Sequence, residues 1–257
     1  EFLAEHAEML ASYVADQQDW TGRISSLQTT MVPGFAAFLQ DEPINRGGVE
    51  YRLYSMLDDI ASDNGEDFII STPYLIPVGP FLQHLSEDVS EGVKVRILTN
   101  SLASNDATAA HSHYKKYRRD LLDTGAKLYE FQHQPAEEVR AFADVEPRRA
   151  GFIGLHMKAS SVDGERCFIG SLNMDPRSVE VNTENGLYID SPQLCGELHE
   201  FMELMLEPES AWSVTQDDEG KLQFTSDKGT TDKQPAQGAG QRSADFFFRL
   251  LPLESQL

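Results

Sequence analysis

The alternation of apolar and polar positions in the middle of the chain predicts strands and helices in turn. Short β-branched runs are typical of buried strands, and apolar residues that recur every three or four positions indicate helices. Gly92 and Gly125 follow the two helical patterns and mark their ends. The predicted elements are strand 67–73, helix 78–92, strand 93–101, helix 106–125 and strand 126–132. This order predicts an α/β layered domain.

The second half of the chain continues the mixture of strands and helices. We predict a polar connector 137–151, a hairpin 152–173, a strand 184–192, a helix 193–206 and a hairpin 211–227. Asp163-Gly164 forms the turn of the first hairpin, and Glu219-Gly220 that of the second. The stretch 228–243 is poor in apolar residues, which predicts a mobile segment before the apolar end 244–257. Near the start of the chain, 1–19 and 49–62 have the apolar spacing of helices.

Composition and charge narrow the possible partners. The 257 residues are 40% hydrophobic, which is enough for one large domain or two modest ones. No run of eighteen apolar residues exists to cross a bilayer, and "EFLAEHAEML" lacks the basic start of a signal peptide. The first residue is not Met, so we expect a piece of a longer protein. A net charge of −21 argues against nucleic acid as the main partner and against attachment to anionic lipid by charge alone.

The two cysteines, Cys167 and Cys195, are far apart in the sequence and form no Cys-x-x-Cys pair. Free cysteines are commonly buried and behave as small apolar residues. We therefore predict two reduced, partly buried thiols, with a disulfide or a metal site as the alternative.

Two stretches share the letters His-x-Lys-x-x-x-x-Asp, and the local structure predicted for each decides which can be a site. "HYKKYRRD" begins at His113 in a predicted helix, where residues two apart point about 200° apart. His113 and Lys115 therefore cannot meet at one ligand, and we interpret this stretch as a solvated basic helix face. The alternative is a helix that lines the mouth of a pocket with Tyr114 or Lys115. "HMKASSVD" begins at His156 in a predicted strand, where His156 and Lys158 lie on the same face.

The second strand of that hairpin brings more polar side chains to the same edge. Ser171 and Asn173, also two apart, can join His156 and Lys158 around one small volume. Lys supplies charge and Ser and Asn supply directional donors, a combination that suits a phosphate group. The His can act as nucleophile or as general acid and base at phosphorus. A carboxylate should orient the imidazole: Glu184 is the first candidate and Asp163 the second. The alternative is a surface His beside an ordinary turn.

These residues resemble the motif of the phospholipase D superfamily, His-x-Lys, four residues, Asp, six residues, Gly-Ser-x-Asn. The match has no gap and comprises His156, Lys158, Asp163, Gly170, Ser171 and Asn173. The following residues resemble the bacterial cardiolipin synthase branch, and the matching positions are Asp175, Arg177, Ser178, Asn182 and Glu184. The stretches "STPYLIP", "TNSLASND" and "LLPLESQL" extend the similarity over almost the whole chain.

The resemblance implies a phospholipase D-like layered α/β sandwich, with a mixed central sheet flanked by helices. Such enzymes carry two motif copies that share one active site, and this chain holds one. We therefore expect a linker and helix in 1–45, a catalytic half in 46–208 and a C-terminal hairpin and tail in 209–257. The missing N-terminal half, or the partner in a homodimer, would complete the site. One copy's His forms a phosphohistidine and the other protonates the leaving alcohol; we assign the acid–base role to His156. No cofactor or metal is implied.

The activity implied by the resemblance is phosphatidyl transfer of the cardiolipin synthase type. The expected substrates are phosphatidylglycerol and, as a further donor, phosphatidylethanolamine, and the expected location is the surface of a bacterial cytoplasmic membrane. His156, Lys158, Asp163 and Glu184 are the predicted catalytic residues; Ser171, Asn173 and Lys158 are predicted to bind the phosphate. The alternatives are a phosphodiesterase that hydrolyses phospholipid or nucleic acid, and a catalytically incomplete phosphate-binding half. Phe246, Phe247 and Phe248 could enter a membrane surface, although we favour a docked core segment.

Overall fold

A computed structural model of the chain describes residues 20–41, 53, 65–144 and 150–253. The helices predicted at 1–19 and 49–62 lie outside the described residues, except for Leu53, which is buried in the core.

One ten-stranded sheet organises the described chain, in the order β1-β7-β6-β5-β2-β3-β4-β8-β9-β10. The strands are β1 Phe35–Gln40, β2 Asp67–Ser71, β3 Lys94–Asn100, β4 Lys127–Phe131, β5 Ala159–Val162, β6 Arg166–Gly170, β7 Asn185–Asp190, β8 Ala211–Gln216, β9 Leu222–Ser226 and β10 Gly229–Thr231. The pairs β2–β3 and β3–β4 are parallel and the other pairs are antiparallel, so the sheet is mixed. The predicted mixed α/β fold class is confirmed.

Helices cover both faces of the sheet. Within the described ranges they are α1 Trp20–Thr29, α2 Phe81–Ser90, α3 Thr108–Tyr114, α4 Arg118–Asp123, α5 Glu137–Ala143, α6 Pro176–Glu180, α7 Pro192–Leu206 and α8 Ala239–Arg249. Phe68 and Phe168 point to the face where α2 packs, and Ile69 points to the opposite face, where Met202 of α7 lies. None of the described helices is both long and apolar enough to cross a bilayer.

Several predicted elements differ from the structure because backbone and side-chain contacts override the local pattern. The predicted helix 106–125 is split into α3 and α4 by i→i+3 hydrogen bonds from Lys116 and Tyr117. The predicted connector contains α5, which buries Val139. The predicted mobile stretch 228–243 contains β10 and the start of α8, because polar side chains supply its contacts, as in the 2.8 Å bond from Arg118 to Gln234.

Strands from all three predicted segments lie in the same sheet. β1, from the segment expected to be a linker, pairs with β7, and β8, from the expected tail, pairs with β4. The boundaries at 45 and 208 remain predictions, although the sheet runs across both.

The cysteines form a disulfide, so the prediction of two reduced thiols is wrong. Cys167 lies on β6 and Cys195 on α7, with their Cα atoms 5.5 Å apart and both side chains fully buried. The two cysteines are 28 residues apart in the sequence, and this spacing contains no signal that α7 packs back onto β6. For this reason the disulfide could not be chosen over two free thiols from the sequence.

The stretch that begins at His113 is exposed at Lys116 and Arg119 but buried at His113 and Arg118, so its interpretation as a solvated basic face is wrong for these two buried residues. His111, His113 and Arg118 are each at most 3% exposed. The Arg118 guanidinium donates to Glu130 of β4 at 2.6 Å, and Lys115 pairs with Asp245 of α8. These acidic partners are distant in sequence, which is why the local charge pattern suggested solvent exposure.

Candidate active site

The predicted site residues meet at one end of the sheet, on three adjacent strands. Lys158 immediately precedes β5, Ser171 immediately follows β6 and Glu184 immediately precedes β7. Because neighbouring strands among these three are antiparallel, those ends coincide. Backbone bonds join them: Gly170 N–H donates to the Lys158 carbonyl at 3.0 Å and Ser171 N–H to Asn185 at 2.8 Å. We predicted that His156 lies in a strand, but it lies in an extended segment before β5. This segment is at the same edge of the sheet.

His156 is exposed, and its backbone is fixed by a buried amide. The Asn100 side chain accepts from Leu155 N–H at 3.0 Å and donates to the Leu155 carbonyl at 2.9 Å. The Ser104 hydroxyl donates to Asn100 at 2.8 Å and fixes that amide in turn. The His156 ring makes an edge contact with Tyr74, with 6.3 Å between centroids. The main chain before His156 is therefore held at both peptide groups, whereas the imidazole remains open to a ligand.

Lys158 brings a partly buried cation into a group of carboxylates. Its Nζ donates to the His156 carbonyl at 2.9 Å. Burial lowers the pKa of Lys158, and the negative charges of Glu184, Asp106 and Asp175 act in the opposite direction.

Glu184 is buried beside Ser171 rather than beside the imidazole. One carboxylate oxygen accepts from the Ser171 hydroxyl and the other from Asn182 at 2.9 Å. Among the described residues, no hydrogen bond joins Glu184 to the His156 ring. The structure therefore brings Glu184 into the site but does not show it as the group that orients His156.

Asn173 and Asp175 continue the site along a cleft of about 320 Å³. Asn173 donates to the Ser178 hydroxyl at 3.2 Å, whereas its buried amide oxygen has no hydrogen-bond partner among the described residues. An amide flip would reverse these roles, so one amide atom is left for a ligand in either orientation. Asp175 caps α6 through Ser178 N–H at 2.7 Å, and burial raises the pKa of its carboxyl. Tyr74 and Arg177 also line this cleft.

The structure does not bring Asp163 to the other predicted residues. It follows the last residue of β5, at the opposite end of that strand from Lys158. Its carboxylate accepts from the backbone N–H groups of Glu66 at 2.9 Å and Asp67 at 2.8 Å. Its φ of 54° is followed by a φ of 67° at Gly164, which closes the hairpin turn. Asp163 thus ties the β5–β6 turn to the start of β2.

One group of possible metal ligands lies away from the site. The ligand atoms of Asp67, His199 and Glu203 are within 4.8 Å of one another. The Arg96 guanidinium already binds both carboxylates, at 2.6 Å from Asp67 and 2.5 Å from Glu203. Arg96 therefore supplies the positive charge that a metal would bring there.

Sequence reasoning missed two residues next to His156, namely Tyr74 and Asn100. Tyr74 follows β2, and Asn100 is the last residue of β3. These two strands are parallel, so their carboxyl ends meet at one sheet edge. That position was a usable signal, because ligands in α/β sheets bind outside the carboxyl ends of the strands.

Asn100→Asp is expected to lower the kcat of the expected phosphatidyl transfer by about a hundredfold, assayed in a form extended at its N-terminus by a second motif copy. The reason is that a small displacement of the reacting His156 imidazole is costly. A carboxylate can still accept from Leu155 N–H, but it cannot donate to the Leu155 and Pro73 carbonyls as the amide does. Steady-state kinetics with thermal unfolding measures the effect on both function and fold.

Asn105→Asp is the matched control for charge and position. The Asn105 side chain accepts from Ala107 N–H at 2.6 Å, a role that a carboxylate retains. Equal losses of kcat in the two variants would contradict a positioning role for Asn100.

Comparison with known proteins identifies the family of the chain. A family model described as "Cardiolipin synthase, PLD-like domain" matches residues 56–206. The chain is 32% identical over 223 residues to cardiolipin synthase C of Escherichia coli K12, covering 84% of this chain and 47% of that protein. It is 29% identical over 125 residues to cardiolipin synthase A of Serratia proteamaculans, covering 49% of this chain and 21% of that protein. The chain thus spans less than half the length of either relative.

A solved structure supports the fold independently. The phosphatidylserine synthase of Haemophilus influenzae Rd KW20 superposes with a TM-score of 0.50 at 14% identity, over 69% of this chain and 39% of that one. At this identity the likeness concerns the fold alone. The family model, which matches more than half of the residues, and the similarity to cardiolipin synthase C show that the chain belongs to the phospholipase D-like domain family of cardiolipin synthases.

Proposed function

We propose that the protein transfers phosphatidyl groups between phospholipids, as its cardiolipin synthase relatives are named to do, and that this chain supplies one half of the active site. The observation that carries the proposal is the meeting of His156, Lys158, Ser171 and Asn173 at one sheet end, within the matched family region. An imidazole, an ammonium and a carboxamide suit a phosphodiester, whereas the Ser171 hydroxyl donates its proton to Glu184 and helps to hold this end of the sheet together.

The proposed chemistry has two steps, and His156 donates a proton in the first and accepts a proton in the second. The imidazole of a second motif copy attacks phosphorus, the bond from phosphorus to the donor's alcohol breaks, and His156 gives its proton to the departing oxygen. The acceptor alcohol then loses its proton to neutral His156 and attacks the phosphohistidine, and the phosphorus–nitrogen bond breaks. Lys158 stabilises the non-bridging oxygens in both steps through its ammonium, and Asn173 does so through an N–H of its amide group. Asp163 has no part, because it lies at the far end of β5.

The second motif copy would come from an N-terminal half of a longer protein or from a second copy of this chain. His156 is exposed and has no hydrogen-bond partner for its ring among the described residues, which fits a group that completes a site with another domain. We propose phosphatidylglycerol as acceptor, phosphatidylglycerol or phosphatidylethanolamine as donor, and the surface of a bacterial cytoplasmic membrane as the location. Water as acceptor would make the same site a phosphodiesterase, and the exposure of His156 leaves it a route.

Cardiolipin formation from phosphatidylglycerol vesicles, with and without phosphatidylethanolamine, tests the proposal. We expect product from a form extended at its N-terminus by a second motif copy, and little or none from this chain as a monomer. Thin-layer or mass-spectrometric analysis of the lipids separates cardiolipin from phosphatidic acid. Phosphatidic acid alone, or cleavage of DNA, would retain the chemistry at His156 and overturn phosphatidyl transfer.

A further inference from the structure

Helix α8 packs against the protein with its polar face and exposes its apolar face. Asp245 is 3% exposed, whereas Phe246 is 57%, Phe247 67%, Leu250 66% and Leu251 47% exposed. At 100° per residue, Phe246 and Phe247 of α8 and the capping residue Leu250, whose backbone is still helical, lie away from Asp245. Leu251 follows directly, and these four exposed side chains form the apolar stripe at the end of α8. The expectation of a docked core segment is therefore wrong for Phe246 and Phe247.

Buried polar contacts fix this orientation. The Asp245 carboxylate binds His111 Nδ1 at 3.0 Å and also pairs with Lys115. The side-chain amides of Gln237 and Gln241 donate to the carbonyls of Ala103 and Leu102. Turning the helix to bury its apolar stripe would leave a buried charge cluster unpaired, which is strongly destabilising. The exposed stripe is consequently a stable feature of the fold.

The stripe lies at the same end of the sheet as the candidate active site. Leu102 and Ala103, which hold α8, belong to the loop that follows β3. Asp106 of this loop accepts from the Tyr74 hydroxyl at 2.8 Å, and the Tyr74 ring contacts His156. Helix α3, on which α8 packs, also lines the cleft through Ala110. A surface bound by α8 would therefore be close to His156.

Basic residues border one side of the stripe. Arg242 and Arg249 are exposed, and at helical spacing both lie within about 60° of Phe246. Aromatic and Leu side chains flanked by Arg are the composition of helices that lie in the interface of a membrane. The positive edge is notable in a chain of net charge −21, because it complements anionic headgroups locally.

We infer that the apolar stripe of α8, formed by Phe246, Phe247, Leu250 and Leu251, binds the surface of an anionic phospholipid bilayer. The helix enters the headgroup region parallel to the surface, with Arg242 and Arg249 at the phosphates, and so holds the active-site end of the sheet against its substrate. The inference rests on the proposed function for the choice of a lipid surface as occupant.

Co-sedimentation of this chain with phosphatidylglycerol/phosphatidylcholine vesicles tests the inference. The double variant Phe247→Glu/Leu250→Glu is expected to bind about tenfold or more weakly, since both side chains lose their apolar contact. Phe38→Glu is the matched control, because Phe38 is 63% exposed, close to the 67% of Phe247, but lies on edge strand β1. Arg249→Gln should weaken binding to the anionic vesicles and leave binding to pure phosphatidylcholine unchanged.

Three outcomes would overturn the inference: equal binding by all variants, loss of binding in Phe38→Glu alone, or a self-association in gel filtration that the double variant abolishes without vesicle binding by the parent. Turnover of a dispersed short-chain phosphatidylglycerol by the extended form separates this question from the proposed function. The double variant should retain that turnover. Vesicle binding through α8 without turnover of any phospholipid would overturn the proposed phosphatidyl transfer and support membrane binding by the apolar stripe.

Discussion

His156→Ala is expected to reduce phosphatidyl transfer by at least about a thousandfold while leaving the fold intact. The side chain is exposed, so its removal opens no cavity, and its backbone is held independently by Asn100. The measurement is kcat/KM of the active, N-terminally extended form, with circular dichroism and thermal unfolding as checks on folding. Activity within tenfold of the parent would exclude His156 from the chemistry.

His113→Gln is the matched control, since His113 begins the other His-x-Lys stretch. His113 is buried, so we expect lower stability but an unchanged kcat per folded molecule. Two equally inactive, equally folded variants would contradict the choice between the stretches.

A donor with a good leaving group distinguishes the two roles that His156 could have. A phosphatidyl ester of a nitrophenol needs no proton on its departing oxygen, so a missing general acid matters little for its first step. The His156→Ala variant should therefore release about one equivalent of nitrophenol in a burst. No burst in the variant, with a burst in the parent, would identify His156 as the nucleophile instead.

Arg118→Met is expected to lower the free energy of unfolding by about 3–5 kcal/mol, the usual loss when one partner of a buried ion pair is removed. Arg118 donates to Glu130 at 2.6 Å, and Glu130 is 0% exposed. In the variant this carboxylate retains the hydrogen bond from the Tyr114 hydroxyl, at 2.8 Å, but loses its positively charged partner. Denaturant unfolding gives the loss, and the melting temperature should fall on the order of 10 °C.

Arg119→Met is the neighbouring control. Arg119 is exposed and donates only to the Gly220 carbonyl, at 3.3 Å. Its loss should change stability by about 0.5 kcal/mol or less. If both variants were equally stable, the buried environment of α4 would be wrong and the solvated basic face predicted from the sequence would be right.

Much of the fold could be predicted from local patterns. Period-two and 3.6-residue spacing located β2, β3, β4, β7 and α7 to within a few residues, and the Asp163-Gly164 turn has the positive φ values that such a pair adopts. These features depend on neighbours in the chain, so the sequence contains them directly. β1 and α8 were missed because their stability comes from pairing and docking with distant segments.

The candidate site shows the same division. The motif spacing identified His156, Lys158, Ser171 and Asn173, and the strand ends brought them together. The motif spacing did not show that Asp163 lies at the opposite end of β5 from Lys158. These two residues are five apart in the sequence, and the whole length of β5 separates them. Nor did it show that Glu184 bonds to Ser171 and Asn182 rather than to an imidazole.

The sequence by itself determined the class of fold, the family and the residues that we propose for phosphoryl chemistry, because hydrophobic period and motif spacing are properties of short stretches. The tertiary structure alone decided which charges are buried, that Cys167 meets Cys195, and that α8 turns its apolar stripe outward. Those outcomes depend on which distant side chains arrive as partners. A buried Arg needs a buried Glu and a helix needs a counterpart for its polar face, and no local window of sequence contains both members of such a pair.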